Sequence, residues 1–329
     1  MTATPPFDLL ASADFLVPDR DAAVARVQHV VGLGEPKPRW SHGGPGAGHR
    51  VTFCRANPKL AASPTLIELI EPASVDPSRS LTEVVPNVDG LARLQGDRPL
   101  KTHGAPVASS SVGDLIERAR TRGVRHWVQP SNDAYPFERL WMGITADDLS
   151  GYRAGEDGGL MLEVVPTATL GIPEETMSAP ADAVDAVEPA SMVRTDSRGF
   201  LVDDLDRSLD AIAGFFGWEP ERGPEIGDGG VRRAVLGFRV PRSARIELLA
   251  PAPDSEEGRF LARWGPGIWH VRIAVRDLAA MADDLRSRAT PFTEVRTGFA
   301  EPETVLRIDP SATPACLFEL APLPYSEKP

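Results

Sequence analysis

The stretch GIWHVRIAVRDL, residues 267 to 278, sets a histidine and an arginine two positions apart in an alternating run. Alternation of this kind signals a half-buried strand. His270, Arg272 and Ala274 would then share one face, and Val271, Ile273 and Val275 the other. The apolar set suits packing against a helix, which leaves His270 and Arg272 on the opposite face. Glutamates sit in similar apolar strands: Glu68 in LIELIEP, Glu163 in LMLEVVP, Glu247 in RIELLAP and Glu319 in LFELAP. Imidazole and carboxylate are the groups that ligate divalent metals or carry protons. A carboxylate buried within such a strand costs several kcal/mol without a partner. A metal ion is one compensation and an arginine is another, and Arg272 is at hand.

These residues belong to a phrase that occurs four times. An alternating run ends in Asp and leads into a helical pattern; a Glu-containing strand follows later and closes on Pro. The openings are SADFLVPDRDAAV, VASSSVGDLIERA, SRGFLVDDLDRSLDAI and HVRIAVRDLAAMADDL. Asp19, Asp114, Asp204 and Asp277 stand where an N-cap starts each helix. Each unit reads as strand–helix–strand–strand–strand. The frame positions Ser12, Val107, Ser197 and His270 precede their glutamates by 56, 56, 50 and 49 residues. The units span about 1–75, 100–167, 191–252 and 265–323. They form an N-terminal domain over 1–170 and a C-terminal domain over 191–329, joined by a Pro-, Ala- and acid-rich linker over 171–190. The segment 73–99 is expected to be partly helical at most.

Composition narrows the function classes. The 329 residues are 42% hydrophobic and 25% charged, ordinary for a globular protein with full cores. A net charge of −12 without any basic stripe argues against nucleic acid. No run approaches the roughly 20 apolar residues of a membrane span, and the first residues lack a signal-peptide pattern. A cytoplasmic protein is expected. Cys54 and Cys316 form no CxxC pair, so neither a disulfide framework nor a zinc cluster is expected.

The fourfold unit, with H-x-x-I-x-V-x-D-L opening one copy and a Glu strand closing each, resembles the vicinal oxygen chelate superfamily. That group holds glyoxalase I, extradiol dioxygenases, methylmalonyl-CoA epimerase and bleomycin-resistance proteins. The resemblance covers nearly the whole chain and implies an α+β fold: four βαβββ modules paired into two cup-shaped, highly curved mixed sheets. It also implies a divalent metal inside a cup, ligated from first and last strands. In the C-terminal half those positions are His270, Glu319 and Glu247, with Ser197 where relatives often have His or Gln. Iron, manganese, zinc, nickel and magnesium all suit this set.

Two functions follow. The first is a metal-dependent lyase, isomerase or dioxygenase acting on a small oxygen-bearing substrate. Glu247 and Glu319 would be its catalytic carboxylates, and Arg272 and Ser197 would contact substrate. The second is a metal-free cup that sequesters a small molecule, as bleomycin-resistance proteins do; the missing ligand at Ser197 favours it. The glutamates themselves also admit a plain structural role, since all four modules carry one. A monomer or homodimer is expected, with a small molecule as partner. Elsewhere, His126 is read as half-buried beside Gln129, and His103 as outside the cup unless the register slips. His29 is read as structural, and His42 and His49 as flanking a Gly-rich turn that lacks a P-loop's Lys-Ser/Thr. Arg139 and Trp141 would share a face of the N-terminal cup. Arg232, Arg233 and Arg307 lie on strands, and Trp141 and Trp269 are read as packing residues.

Overall fold

The computed structural model describes residues 4–34, 42–43, 49–57, 64–72, 96–131, 136–148, 152–172, 187–299, 304–313 and 315–323. Most of the linker and of the 73–99 connection, and the Gly-rich turn between His42 and His49, lie outside them. After a short strand β1 (Leu9–Leu10), the unit strand–helix–strand–strand–strand occurs four times. The first is β2 (Ser12–Leu16), α1 (Arg20–Val30), β3 (His42–Gly43), β4 (His49–Cys54) and β5 (Leu66–Pro72). The second is β6 (Ala105–Ser109), α2 (Val112–Arg122), β7 (His126–Gln129), β8 (Arg139–Met142) and β9 (Leu162–Pro166). The third is β10 (Met192–Leu201), α3 (Leu205–Phe216), β11 (Arg222–Ile226), β12 (Arg232–Leu236) and β13 (Arg245–Ala250). A helix α4 (Glu256–Trp264), not expected from the repeat, follows. The fourth unit is β14 (Gly267–Val275), α5 (Leu278–Ser287), β15 (Phe292–Arg296), β16 (Thr304–Ile308) and β17 (Phe318–Pro322).

In every unit the first strand lies parallel to the last, so the closing glutamate has a fixed neighbour. Asp14 faces Glu68, Pro106 faces Glu163, Gly199 faces Glu247 and Arg272 faces Glu319. The third and fourth units fuse through the antiparallel pair β10–β14 into one eight-stranded sheet, ordered β11-β12-β13-β10-β14-β17-β16-β15. This sheet curls until the segments after its two edge strands meet. A Cβ on Gly227 would fall 2.7 Å from the carbonyl oxygen of Thr297 and 2.8 Å from the Phe299 ring. The first two units form a four-stranded and a five-stranded sheet. Backbone bonds from Ala11 to Pro106 (2.8 Å) and from Leu16 to Lys101 (2.9 Å) stitch them together.

Three of the expected caps hold. Asp19, Asp204 and Asp277 each accept a backbone N–H from the first turn of α1, α3 and α5. The fourth differs: α2 begins three residues early, Ser111 stands at its N-cap, and Asp114 lies inside the first turn. In the other units the frame residue precedes the cap by seven positions, which makes Gly104, not Val107, the equivalent of His270. Val107 accordingly faces the core and is fully buried.

Hydrophobic burial crosses between the halves. One core joins Ala13, Phe15, Ile67 and Leu69 of the first unit to Val271, Ile273, Phe318 and Leu320 of the fourth. Phe15 and Phe318 meet edge to face at 5.5 Å. The other joins Val107, Leu115 and Val164 of the second unit to Phe200, Ile212 and Leu248 of the third. Each Val, Leu, Ile or Phe among them contributes roughly 1.5–3 kcal/mol on burial, so the two halves stabilise one another directly. No helix among the described residues is long and apolar enough to cross a membrane.

Candidate functional site in the C-terminal cup

Strand alternation places the expected residues together. All nine residues of β14 are buried: the odd-numbered set Val271, Ile273 and Val275 lies in the core, while His270 and Arg272 point into the cup. The imidazole of His270 lies over Gly199 of β10. A Cβ there would come within 2.7–2.9 Å of three ring atoms, so only glycine leaves room for the ring.

Arg272 occupies the centre. Its guanidinium donates through one terminal nitrogen to Glu247 Oε1, and through the other to Glu319 Oε2 at 2.8 Å. Ser197 donates its hydroxyl to the same Glu247 oxygen. Arg307 donates twice to Glu319 Oε1, at 3.0 and 2.9 Å, and reaches Glu256 and Glu257 at the start of α4. Arg233 approaches Glu247 Oε2 at 3.6 Å and lies over the Phe299 ring at 4.0 Å, beneath the closed end of the sheet. Burial alone would raise the glutamates. The guanidiniums outweigh it, with help from His270 whenever that ring is protonated, and both carboxyls are held below the ordinary range. Burial would likewise lower Arg272, but Glu247 and Glu319 overcome it and raise the guanidinium further.

His270 is the exception to this pairing. It is 2% exposed, and burial depresses it below the usual 6.5, so the ring is neutral at pH 7. Nδ1 lies 3.6 Å from Glu319 Oε2, beyond hydrogen-bond range. Neither ring nitrogen has a hydrogen-bond partner among the described residues.

The expected ligands His270, Glu247 and Glu319 are therefore adjacent, but the arrangement does not fit a divalent ion. A guanidinium sits between the two carboxylates, and each glutamate is already neutralised by arginine. Among the described residues no group of three His, Cys, Asp or Glu is disposed to hold a metal. Arginine is thus the compensation that the carboxylates have found.

The N-terminal cup holds a second polar cluster, centred on residues that the misplaced frame position Val107 hid. Asp14 accepts Thr102 Oγ1 at 2.7 Å, and the backbone N–H of His103 at 2.7 Å. It also meets His103 Nδ1 at 2.9 Å and Arg198 of β10 at 2.7 Å. His103 Nε2 lies 3.2 Å from Glu163, which pairs with Arg139 at 2.7 Å. Gln129 accepts from Arg139 and from Trp141. Ser12 donates to Glu68. Burial opposes the ionisation of Asp14, yet Arg198 and His103 pull it down to about 2. Burial, then Asp14 and Glu163, push Glu68 up to about 7 against the attraction of His103. His126 does not join this cluster. Gln129 and Trp127 face the cup, while the His126 ring turns to the carbonyl of Val124 at 2.8 Å. Trp141 and Trp269 are buried packing residues.

A family model described as the glyoxalase/bleomycin resistance protein/dioxygenase superfamily matches residues 198–305, which run from β10 into β16. A variant of 4-hydroxymandelate synthase from Streptomyces coelicolor is similar in fold over 97% of this chain and 93% of its own, with TM-score 0.61 and 15% identity. Methylmalonyl-CoA epimerase from Mycobacterium tuberculosis is 34% identical over 40% of this chain and 88% of its own, with TM-score 0.35. No curated protein matches the chain in sequence. The four-unit curled sheets define the class, and the chain belongs to the glyoxalase/bleomycin resistance protein/dioxygenase superfamily.

Proposed function

We propose that the C-terminal cup binds a small oxygen-bearing molecule without a metal, and that His270 is the group that meets it. The observation carrying this reading is the pair of unpartnered ring nitrogens on a histidine almost wholly buried. Buried polar atoms are nearly always bonded, and an orphan asks for a ligand or an ordered water. A neutral imidazole offers one donor and one acceptor, which suits a hydroxyl, a carbonyl or a carboxylic acid.

An enzymatic version of this reading draws on the Glu319 carboxylate 3.6 Å from Nδ1. A carboxylate on that side favours the Nδ1–H tautomer and leaves Nε2 as a base. The metal-dependent version needs Arg272 displaced from between the glutamates.

Differential scanning fluorimetry tests the proposal with catechol, a 2-keto acid, an acyl thioester and bleomycin as probes. A stabilising probe whose effect disappears in His270→Ala, with the variant still folded, is the expected result. As-purified protein that carries one equivalent of a transition metal, lost in His270→Ala, would overturn it.

A further inference from the structure

We infer that Arg272 is the residue that excludes divalent metal ions from the C-terminal cup; this rests on the metal-free reading above. Three side chains of metal-ligand type, from three strands of the eight-stranded sheet, surround one guanidinium. Glu247 comes from β13, His270 from β14 itself and Glu319 from β17. Arg272 bonds to Glu247 Oε1 and Glu319 Oε2, and the His270 ring stands next to the second of these oxygens. Among the described residues, both ring nitrogens and Glu247 Oε2 lack a hydrogen-bond partner. The donors are present and adjacent. What separates them is a cation that cannot be deprotonated and so cannot yield its place by losing charge.

The other arginines do not block the same oxygens. Arg307 holds Glu319 Oε1, and Arg233 lies towards Glu247 Oε2. The facing oxygens, Glu247 Oε1 and Glu319 Oε2, are released only by changing Arg272, although Ser197 continues to donate to the former. The first unit shows how much depends on this register position. There Asp14, not arginine, faces the closing glutamate, and the cations come from His103 and from Arg198 of another unit.

The test measures cobalt(II) and zinc(II) uptake by wild type, Arg272→Met and Arg272→Gln, by elemental analysis after desalting and by cobalt visible absorption. Wild type takes up no stoichiometric metal. Arg272→Met binds close to one equivalent with a tetrahedral cobalt spectrum, and Arg272→Met/His270→Ala loses both. A folded Arg272→Met that binds no more metal than wild type would overturn the inference while leaving the proposed function standing. Stoichiometric uptake by wild type that depends on His270 would overturn both. Should neither Arg272 variant fold alone, recovery of its circular dichroism on adding zinc supports the inference, and failure to recover refutes it.

Discussion

Glu68 in the N-terminal cup titrates near 7, whereas Glu319, at the same place in the last strand of the fourth unit, stays ionised far into acid. Both are buried, both sit in an apolar strand, and both face a cup. The difference lies in what stands opposite. Glu319 faces Arg272 and receives Arg307 as well. Glu68 faces Asp14, which claims the nearby positive charge of His103 and Arg198 for itself. A carboxylate is therefore not defined by its strand position; the cations that reach it decide whether it is an anion or an acid, as Glu247 shows by facing Gly199 yet staying ionised through Arg272. The cups also differ in what remains unpaired. In the N-terminal cup both nitrogens of the His103 ring have partners, at Asp14 and Glu163. In the C-terminal cup neither nitrogen of His270 has a hydrogen-bond partner among the described residues.

The sharpest way to break this comparison is to remove an anion from each cup. Asp14→Asn leaves Arg198 buried with reduced compensation and weakens the hold on His103. Removing one partner of a buried pair costs roughly 3–5 kcal/mol, and urea unfolding should show a loss of that order. Glu319→Gln should also destabilise, by somewhat less, because Arg307 keeps Glu256 and Glu257. An unfolding midpoint unchanged in Glu319→Gln would show that the C-terminal ion network is not structural.

Glu68→Gln should act in the opposite direction. The folded protein holds this carboxyl near 7, above the 4.5 of an unperturbed glutamate. Between those values the unfolded chain releases the proton first, so stability falls as pH rises from 4.5 to 7 and then levels off. The variant removes that loss. At pH 8 it should exceed wild type by about 1–3 kcal/mol, and near pH 4.5 the two should coincide. A stability difference independent of pH would refute the assignment.

Gly199→Ala sharpens the comparison at the His270 ring itself. The added methyl overlaps the imidazole, and overpacking of this kind costs roughly 1–3 kcal/mol. Nitrogen-15 spectra of the histidine ring should show a displaced or titrating His270, with the His103 signals unaltered. The smallest effect is expected on the surface. Asp206→Ala breaks the exposed pair with Arg232, and its urea midpoint should match that of wild type, since solvent and salt screen such pairs.

The unit pattern was legible because alternation and helical spacing are local, and the caps Asp19, Asp204 and Asp277 mark each helix start. The C-terminal residues His270, Arg272, Glu247 and Glu319 were legible for the same reason: strand parity alone puts them on one face. The second unit misled because its helix opens on Ser111 rather than Asp114, so the frame slid three residues and passed over Gly104. His103 then lay outside the expected cup. The clue was the seven-residue interval from frame position to cap in the other units. That Arg272 would lie between the glutamates was a choice between two compensations, and only geometry decides it. Helix α4 carries no counterpart in the repeat, although Ser255 caps it as a local signal. The burial of Arg198 depends on a contact between distant units and has no local signature.

Arg198 and Gly199 are consecutive residues of β10, yet one reaches Asp14 in the first unit and the other makes room for His270 in the fourth. The halves are therefore not cassettes to be cut apart and recombined. A fragment starting at Ser191 would carry a stranded guanidinium on an apolar surface built to be covered, and would be soluble only alongside the missing half. Complementation of two separately expressed pieces, rather than independent folding of either, is the behaviour this strand imposes.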